Sequence, residues 1–332
     1  MLFNISSLLF LLSLVTGTLI SISSSTWIGA WMGLEMNLLS FIPMMSKNKT
    51  PYENEASMKY FLVQAIASIM FLLSILLVNL MDFDFNHYAN YLLSSALLMK
   101  MGAAPLHFWF PGVMEGLDWM NCLILMTWQK IGPFILLSYK LSMTLFSMTV
   151  IMLCVVVGAI GGLNQTSVRK LMAYSSISHL GWMMTAMMIS YNYWLLYFLI
   201  YVILNMSVLH IFNSQSLFQL SQSYFNNSNV MIKFTLFISM LSLGGLPPFL
   251  GFLPKWIIIQ NLMQSQYIML VLIMVLTTLI TLYFYLRVMF STFMFLNQEN
   301  GWNNYNQKKN LNSLIMSVSI LGIPLLFVMS II

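Results

Sequence analysis

Four ionisable side chains stand where an apolar environment should forbid them. Glu35 lies inside WIGAWMGLEMNLLSFIP (27–43) and Lys100 inside YLLSSALLMKMGAAPLHFWFP (91–111). Lys130 lies inside LDWMNCLILMTWQKIGPFILLSYK (117–140), and Lys255 ends the interrupted run GGLPPFLGFLPKW (244–256). A charge at the centre of a membrane span costs roughly 2.5–3.5 kcal/mol, so four together cost on the order of 10 kcal/mol. That is comparable to the whole stability of a domain. One carboxylate and three amines are the groups a proton relay needs. A neighbouring carboxylate holds a proton on an amine, and apolar surroundings release it. A change of three pKa units is worth about 4 kcal/mol, and moving one proton against 200 mV costs about 4.6 kcal/mol. The magnitudes match, so the chemistry within reach of this set is the loading and unloading of protons.

Two plainer readings compete. Snorkelling can lift Lys255, the lysine nearest a span end, but not Lys100 or Lys130, which lie about 15 Å deep in a core of about 30 Å. An ion pair between Glu35 and Lys100 would lock two helices, yet one carboxylate cannot neutralise three amines. His179, in AYSSISHLGW, shares its span with Ser175, Ser176 and Ser178. It either extends a proton wire or packs as a hydrogen-bonded core histidine. His107 and His210 read as packing or interfacial residues.

The elements that hold these groups follow from composition. The chain has 332 residues, 60% hydrophobic and 6% charged, with mean hydropathy +0.85. A soluble domain carries about 25% charged residues, so this is an all-α polytopic membrane protein. Its apolar runs are continuous rather than alternating, which excludes a barrel. Spans fall near 3–22, 26–45, 57–81, 88–112, 118–140, 144–164, 170–190, 192–217, 231–260, 266–291 and 311–331, eleven in all. The first reads as a span rather than a signal peptide, because a basic leading region and an A-x-A site are missing. With the amino terminus on side A, that side receives Lys47, Lys49, Lys59, Arg169, Lys170, Lys233, Arg287, Lys308 and Lys309, and side B receives Lys140. Side A is then the matrix or cytoplasmic face.

The net charge of +5 is scattered over loops and points to topology, not to nucleic acid. Cys122 and Cys154 read as reduced buried thiols. The tryptophans Trp27, Trp109, Trp119, Trp194 and Trp302 read as interfacial belts. The sequence carries no metal, haem, iron–sulfur or nucleotide signature, and so no redox centre of its own.

Glycine and proline interrupt two spans. GAAP (102–105) and Pro111 break the fourth, and GGLPPFLG (244–251) with Pro254 breaks the ninth. Both breaks remove helix hydrogen bonds next to a lysine. Five helices is an odd number, so a second five-helix unit runs inverted relative to the first. The expectation is one transmembrane domain, 1–332, with inverted repeats at about 1–140 and 144–291 and an extra helix at about 311–331. Interrupted spans in matching positions point to a transport site at the midplane.

The segments WIGAWMGLEMNLLSFIP (27–43), EASMKYFLVQA (55–65), MKMGAAPLHFWFP (99–111), TWQKIGP (127–133), GGLNQTSVRKLMAYSSISHLGWM (161–183) and LSLGGLPPFLGFLPKW (241–256) resemble, in order, the antiporter-like subunit 2 family of mitochondrial NADH:ubiquinone oxidoreductase, respiratory complex I. The resemblance implies an antiporter-like fold with two inverted five-helix repeats and two discontinuous helices. It implies a core membrane-arm subunit that translocates protons across the inner mitochondrial membrane, coupled to NADH oxidation and ubiquinone reduction in other subunits. The roles it implies are a carboxylate–lysine pair (Glu35, Lys100), a central relay lysine (Lys130) and a lysine toward the other half-channel (Lys255). His179 is a candidate relay. The enzyme label is inherited from the complex: FMN and iron–sulfur clusters belong elsewhere, and no cofactor, NADH or quinone is expected on this chain. The implied partners are other membrane-arm and accessory subunits and membrane lipids such as cardiolipin. The amino terminus is expected on the matrix side and the carboxyl terminus on the intermembrane-space side. A cation/proton antiporter subunit and a non-conducting spacer of the membrane arm are the alternatives.

Overall fold

A computed structural model describes residues 5–47, 50–80, 86–141, 143–225 and 230–293. The described residues form fourteen helices. In chain order they are α1 (Ile5–Ser23), α2 (Trp27–Met45), α3 (Pro51–Leu80), α4 (Asn86–Met101), α5 (Trp109–Gly116), α6 (Trp119–Met126) and α7 (Trp128–Ser138). They continue as α8 (Leu145–Leu163), α9 (Val168–Ile189), α10 (Tyr191–Gln215), α11 (Leu220–Phe225), α12 (Val230–Gly244), α13 (Phe252–Gln264) and α14 (Ile268–Phe293). Ten of the eleven expected spans are met by these helices, with three of them split into pairs. The expected helix at 311–331 lies outside the described residues.

Among the described residues, six stretches are long and apolar enough to cross a membrane: Ile5–Ser23, Pro51–Val78, Trp119–Ser138, Leu145–Leu163, Tyr191–Gln215 and Ile268–Thr292. The helices that fall short of that measure hold Glu35, Lys100, His179 and Lys255. Of these, α4 and α13 are short because a glycine- and proline-containing break cuts each of them, at 16 and 13 residues, whereas Lys130 lies within one of the six stretches.

The chain forms two compact units, Met1–Val150 and Ile151–Ile332. In the first, α1 lies along α2, α3 along α4 and α5, and α7 against α4. Thr26 caps α2, accepting a hydrogen bond from the Gly29 amide at 3.2 Å. This satisfies one of the four amides that every helix start leaves open. The α1–α2 contact depends on small residues. A Cβ on Gly17 would lie 3.0 Å from the Gly33 carbonyl, and one on Gly33 would collide with the Ser21 backbone. Close backbone approach of this kind is what holds helices together in lipid, where apolar side chains gain little from one another.

In the second unit α9 is the central helix, and 17 of its 22 residues are buried. It packs on α10 and α13, while α12 packs on α10 and α14. Arg287 of α14 donates to the carbonyls of Leu163 at 2.5 Å and Gln165 at 2.7 Å, closing the end of α8. Large apolar residues such as Leu12, Leu39, Leu62, Ile69, Leu199 and Leu279 point outward, while Asn37, Gln64, Lys100, Lys130, His179 and Lys255 point inward. A chain dissolved in hydrocarbon inverts the soluble pattern in just this way.

Two expectations are corrected here. The span expected over 118–140 is present as Trp119–Ser138, but a one-residue interruption at Thr127, which the sequence reading does not mark, divides it into α6 and α7. The Thr127 hydroxyl donates to the Leu123 carbonyl at 2.6 Å, competing with the backbone, and Lys130 N shortens its bond to reach Thr127 O at 3.2 Å. A threonine bonding back one turn bends a helix. Pro133 then supplies no amide to the Gln129 carbonyl. The interfacial reading of the tryptophans also fails for Trp109, Trp119 and Trp194, which are 9%, 2% and 3% exposed. Trp109 stacks edge-on against Phe110 and donates to the Met99 carbonyl at 3.2 Å, and Trp194 stacks on Phe198. Trp302 lies outside the described residues.

Candidate functional site

The first unit gathers three of the four charges. α4 ends one residue after Lys100, and Gly102 turns the chain at φ +73°. The Gly102 amide bonds to Met99 O at 3.1 Å and the Ala103 amide to Leu98 O at 3.0 Å. Only glycine adopts this left-handed turn without strain, and a Cβ there would press on Phe110 at 3.1 Å. Lys100 is 7% exposed, and its own carbonyl accepts from Gln64 Nε2 at 3.1 Å. Glu35 is close enough for its charge to act on both Lys100 and Tyr60. Glu35 and Lys100 nevertheless form no direct ion pair within 4.0 Å, and Glu35 Oε1 is buried without a hydrogen-bond partner among the described residues. The pair is coupled through space and not locked. Lys130, 1% exposed, places its Nζ 5.3 Å from the centre of the Phe110 ring. An aromatic face attracts an ammonium through the ring quadrupole.

In the second unit α12 ends at Gly244, and Gly245 turns the chain at φ +78°. Its amide returns to Leu241 O at 3.0 Å. Lys255, from α13, reaches back across the break and donates to the Gly244 carbonyl at 2.9 Å. The sequence question of why a lysine accompanies a broken helix thus has a geometric answer: the break frees a carbonyl, and the amine takes it. Lys255 is 6% exposed and its Nζ lies 5.9 Å from the Trp182 ring centre. It does not snorkel. His179 Nδ1 lies 2.8 Å from the Tyr197 hydroxyl, with the Tyr201 ring 5.2 Å away. Ser175, Ser176 and Ser178 donate to carbonyls of their own helix at 2.7 Å each, and Tyr197 and Tyr201 of α10 lie against this histidine.

The NADH:quinone oxidoreductase/Mrp antiporter transmembrane family model matches residues 24–281. NADH-ubiquinone oxidoreductase chain 2 of Locusta migratoria is 49% identical over 98% of this chain and 94% of that protein. The chain belongs to the NADH-ubiquinone oxidoreductase chain 2 family. The Anopheles gambiae member is 51% identical over 96% of both chains. A chain in the structure of respiratory complex I from Thermus thermophilus with bound aureothin superposes with a TM-score of 0.85 at 23% identity, covering 97% of this chain and 78% of that one. The antiporter-like fold is therefore established for this member of the chain 2 family.

Several polar residues of this chain 2 protein escape a reading that looks for charge. Asn37, Tyr60, Gln64 and Gln129 form a buried cluster around Lys100. Tyr197, Tyr201 and Tyr285 are buried beside α9. The signal for the first cluster is the spacing of Tyr60 and Gln64, four apart on one face of α3. His107 Nδ1 donates to the Pro105 carbonyl, 3.2 Å away, and the residue is 6% exposed, a packing role. His210 is exposed on α10. Cys122 and Cys154 are buried free thiols. Among the described residues no group of three or more His, Cys, Asp or Glu could hold a metal ion.

Proposed function

We infer that this chain is the antiporter-like subunit of the membrane arm of respiratory complex I that carries protons across the inner mitochondrial membrane. The observation that carries the reading is that Lys100, Lys130 and Lys255 are 7%, 1% and 6% exposed, each beside a break in its own membrane helix. The Lys255 amine lies on a freed carbonyl, the Lys130 amine beside an aromatic ring and the Lys100 amine within the field of a carboxylate, positions from which a proton can leave.

Glu35 modulates Lys100, so a change in their separation changes the energy of the proton on that amine. Lys130 serves as the central relay lysine, and Lys255 serves the other half-channel, with His179 as an additional relay. The chain carries two inverted five-helix repeats, about 1–140 and 144–291, each with a lysine at a glycine turn. A further helix at about 311–331 completes eleven spans. The excess of Lys and Arg on one set of loops supports an amino terminus in the matrix and a carboxyl terminus in the intermembrane space. NADH oxidation, flavin and iron–sulfur chemistry and quinone reduction lie in other subunits, and the residues here supply the proton path alone. Membrane-arm neighbours, accessory subunits and lipids such as cardiolipin are the partners.

The test is Lys130→Ala in the intact complex. The protons moved per electron should fall while assembly is retained. An unchanged ratio in an assembled complex would leave a spacer as the function.

A further inference from the structure

Between α2, α3, α4 and α7 lies a cavity of about 10 Å³, lined by Asn37, Tyr60, Gln64, Lys100 and Gln129 together with apolar residues. That is about the volume one water molecule requires, and a buried water also needs two to four polar partners. The wall supplies them. Gln129 Nε2 donates to Asn37 Oδ1 at 3.0 Å, and its Oε1 accepts from the Tyr60 hydroxyl at 3.4 Å. These two bonds fix the orientation of the Gln129 carboxamide. Gln64 spends its Nε2 on the Lys100 carbonyl at 3.1 Å, which leaves its amide oxygen as an acceptor.

Resting on the proton-translocation reading, we propose that Gln129 is a positioning residue that builds, with Asn37, Tyr60 and Gln64, a one-water site for the amine of Lys100. The water accepts a hydrogen bond from the ammonium and donates to the fixed amide and phenol oxygens. An amide cannot take up the proton, so Gln129 orients the water and does not itself relay. Neighbouring residues on one helix point about 100° apart. Gln129 therefore faces the Lys100 cavity while Lys130 faces Phe110. One short helix, α7, thus presents a hydration partner to one amine and carries the next. Amide pairs also glue membrane helices together, but glue alone does not call for a water-sized space beside a lysine.

The experiment uses the intact complex in sealed vesicles, with Gln129→Leu and Lys100→Met compared with the unaltered chain, and a high-resolution map of the unaltered complex. Losing the oriented water should slow proton transfer through this chain about tenfold or more. It should lower protons moved per NADH oxidised without changing the amount of assembled complex. A purely structural role would reduce assembly and turnover together and leave the ratio alone. The map should show ordered density within hydrogen-bond distance of Lys100 and Gln129. A dry cavity, or an unchanged ratio in assembled Gln129→Leu, overturns the site. If Lys100→Met lowers the ratio and Gln129→Leu does not, only the water site falls. If Lys100→Met leaves it unchanged, the translocation reading falls first.

Discussion

At the scale of single residues, the two glycines that turn the broken helices control where the lysines sit. Gly245 adopts φ +78°, and a Cβ there would lie 3.0 Å from Nζ of Lys255. Gly245→Ala should cost about 1–2 kcal/mol in backbone strain alone and push the amine off the Gly244 carbonyl. Thermal melting of the purified complex and its proton yield should both drop, and an unaltered melt would remove the strain argument. Glu35, Lys100, Lys130 and Lys255 were legible in the sequence because charge in an apolar run is conspicuous. Asn37, Tyr60, Gln64 and Gln129 were not. Neutral polar residues are tolerated in membrane helices, and only the geometry shows that four of them meet at one lysine. The same holds for Tyr197, whose contact with His179 joins residues eighteen positions apart.

At the scale of helices, the breaks after Lys100 and before Lys255 could be read directly, since glycine and proline mark them. The break at Thr127 could not. It arises from a hydroxyl bonding back to Leu123 and from a proline six residues on, neither decisive alone. Helix contacts make the sharpest prediction at this scale. Gly33 meets the Ser21 backbone and the Gly17 carbonyl, so Gly33→Leu forces α1 and α2 apart. Overpacking of this kind costs about 1–3 kcal/mol or more. The variant complex should assemble poorly, measured as complex per membrane protein, whereas a lipid-facing change such as Leu39→Met should assemble normally. Equal assembly of the two would contradict the small-residue contact.

At the scale of the whole molecule, the alternation of spans predicts sidedness. A cysteine replacing Lys47, exposed after α2, should react with an impermeant maleimide only when the matrix face is open. A cysteine replacing Tyr139, 65% exposed after α7, should react only from the intermembrane space. The reverse pattern would invert the topology. Composition alone established a helical membrane protein, because 6% charged residues cannot cover a water-facing surface. It could not reveal that the polar residues are gathered inside each unit, since that depends on which face of every helix turns inward.

The central claim is that buried amines in this chain hand protons onward. It is met most directly by measuring protons moved per NADH oxidised in sealed vesicles of intact complex carrying Lys100→Met, Lys130→Ala or Lys255→Met, each matched for assembled complex. The account predicts a lower ratio for all three substitutions. A ratio equal to that of the unaltered complex in any one of the three would contradict it.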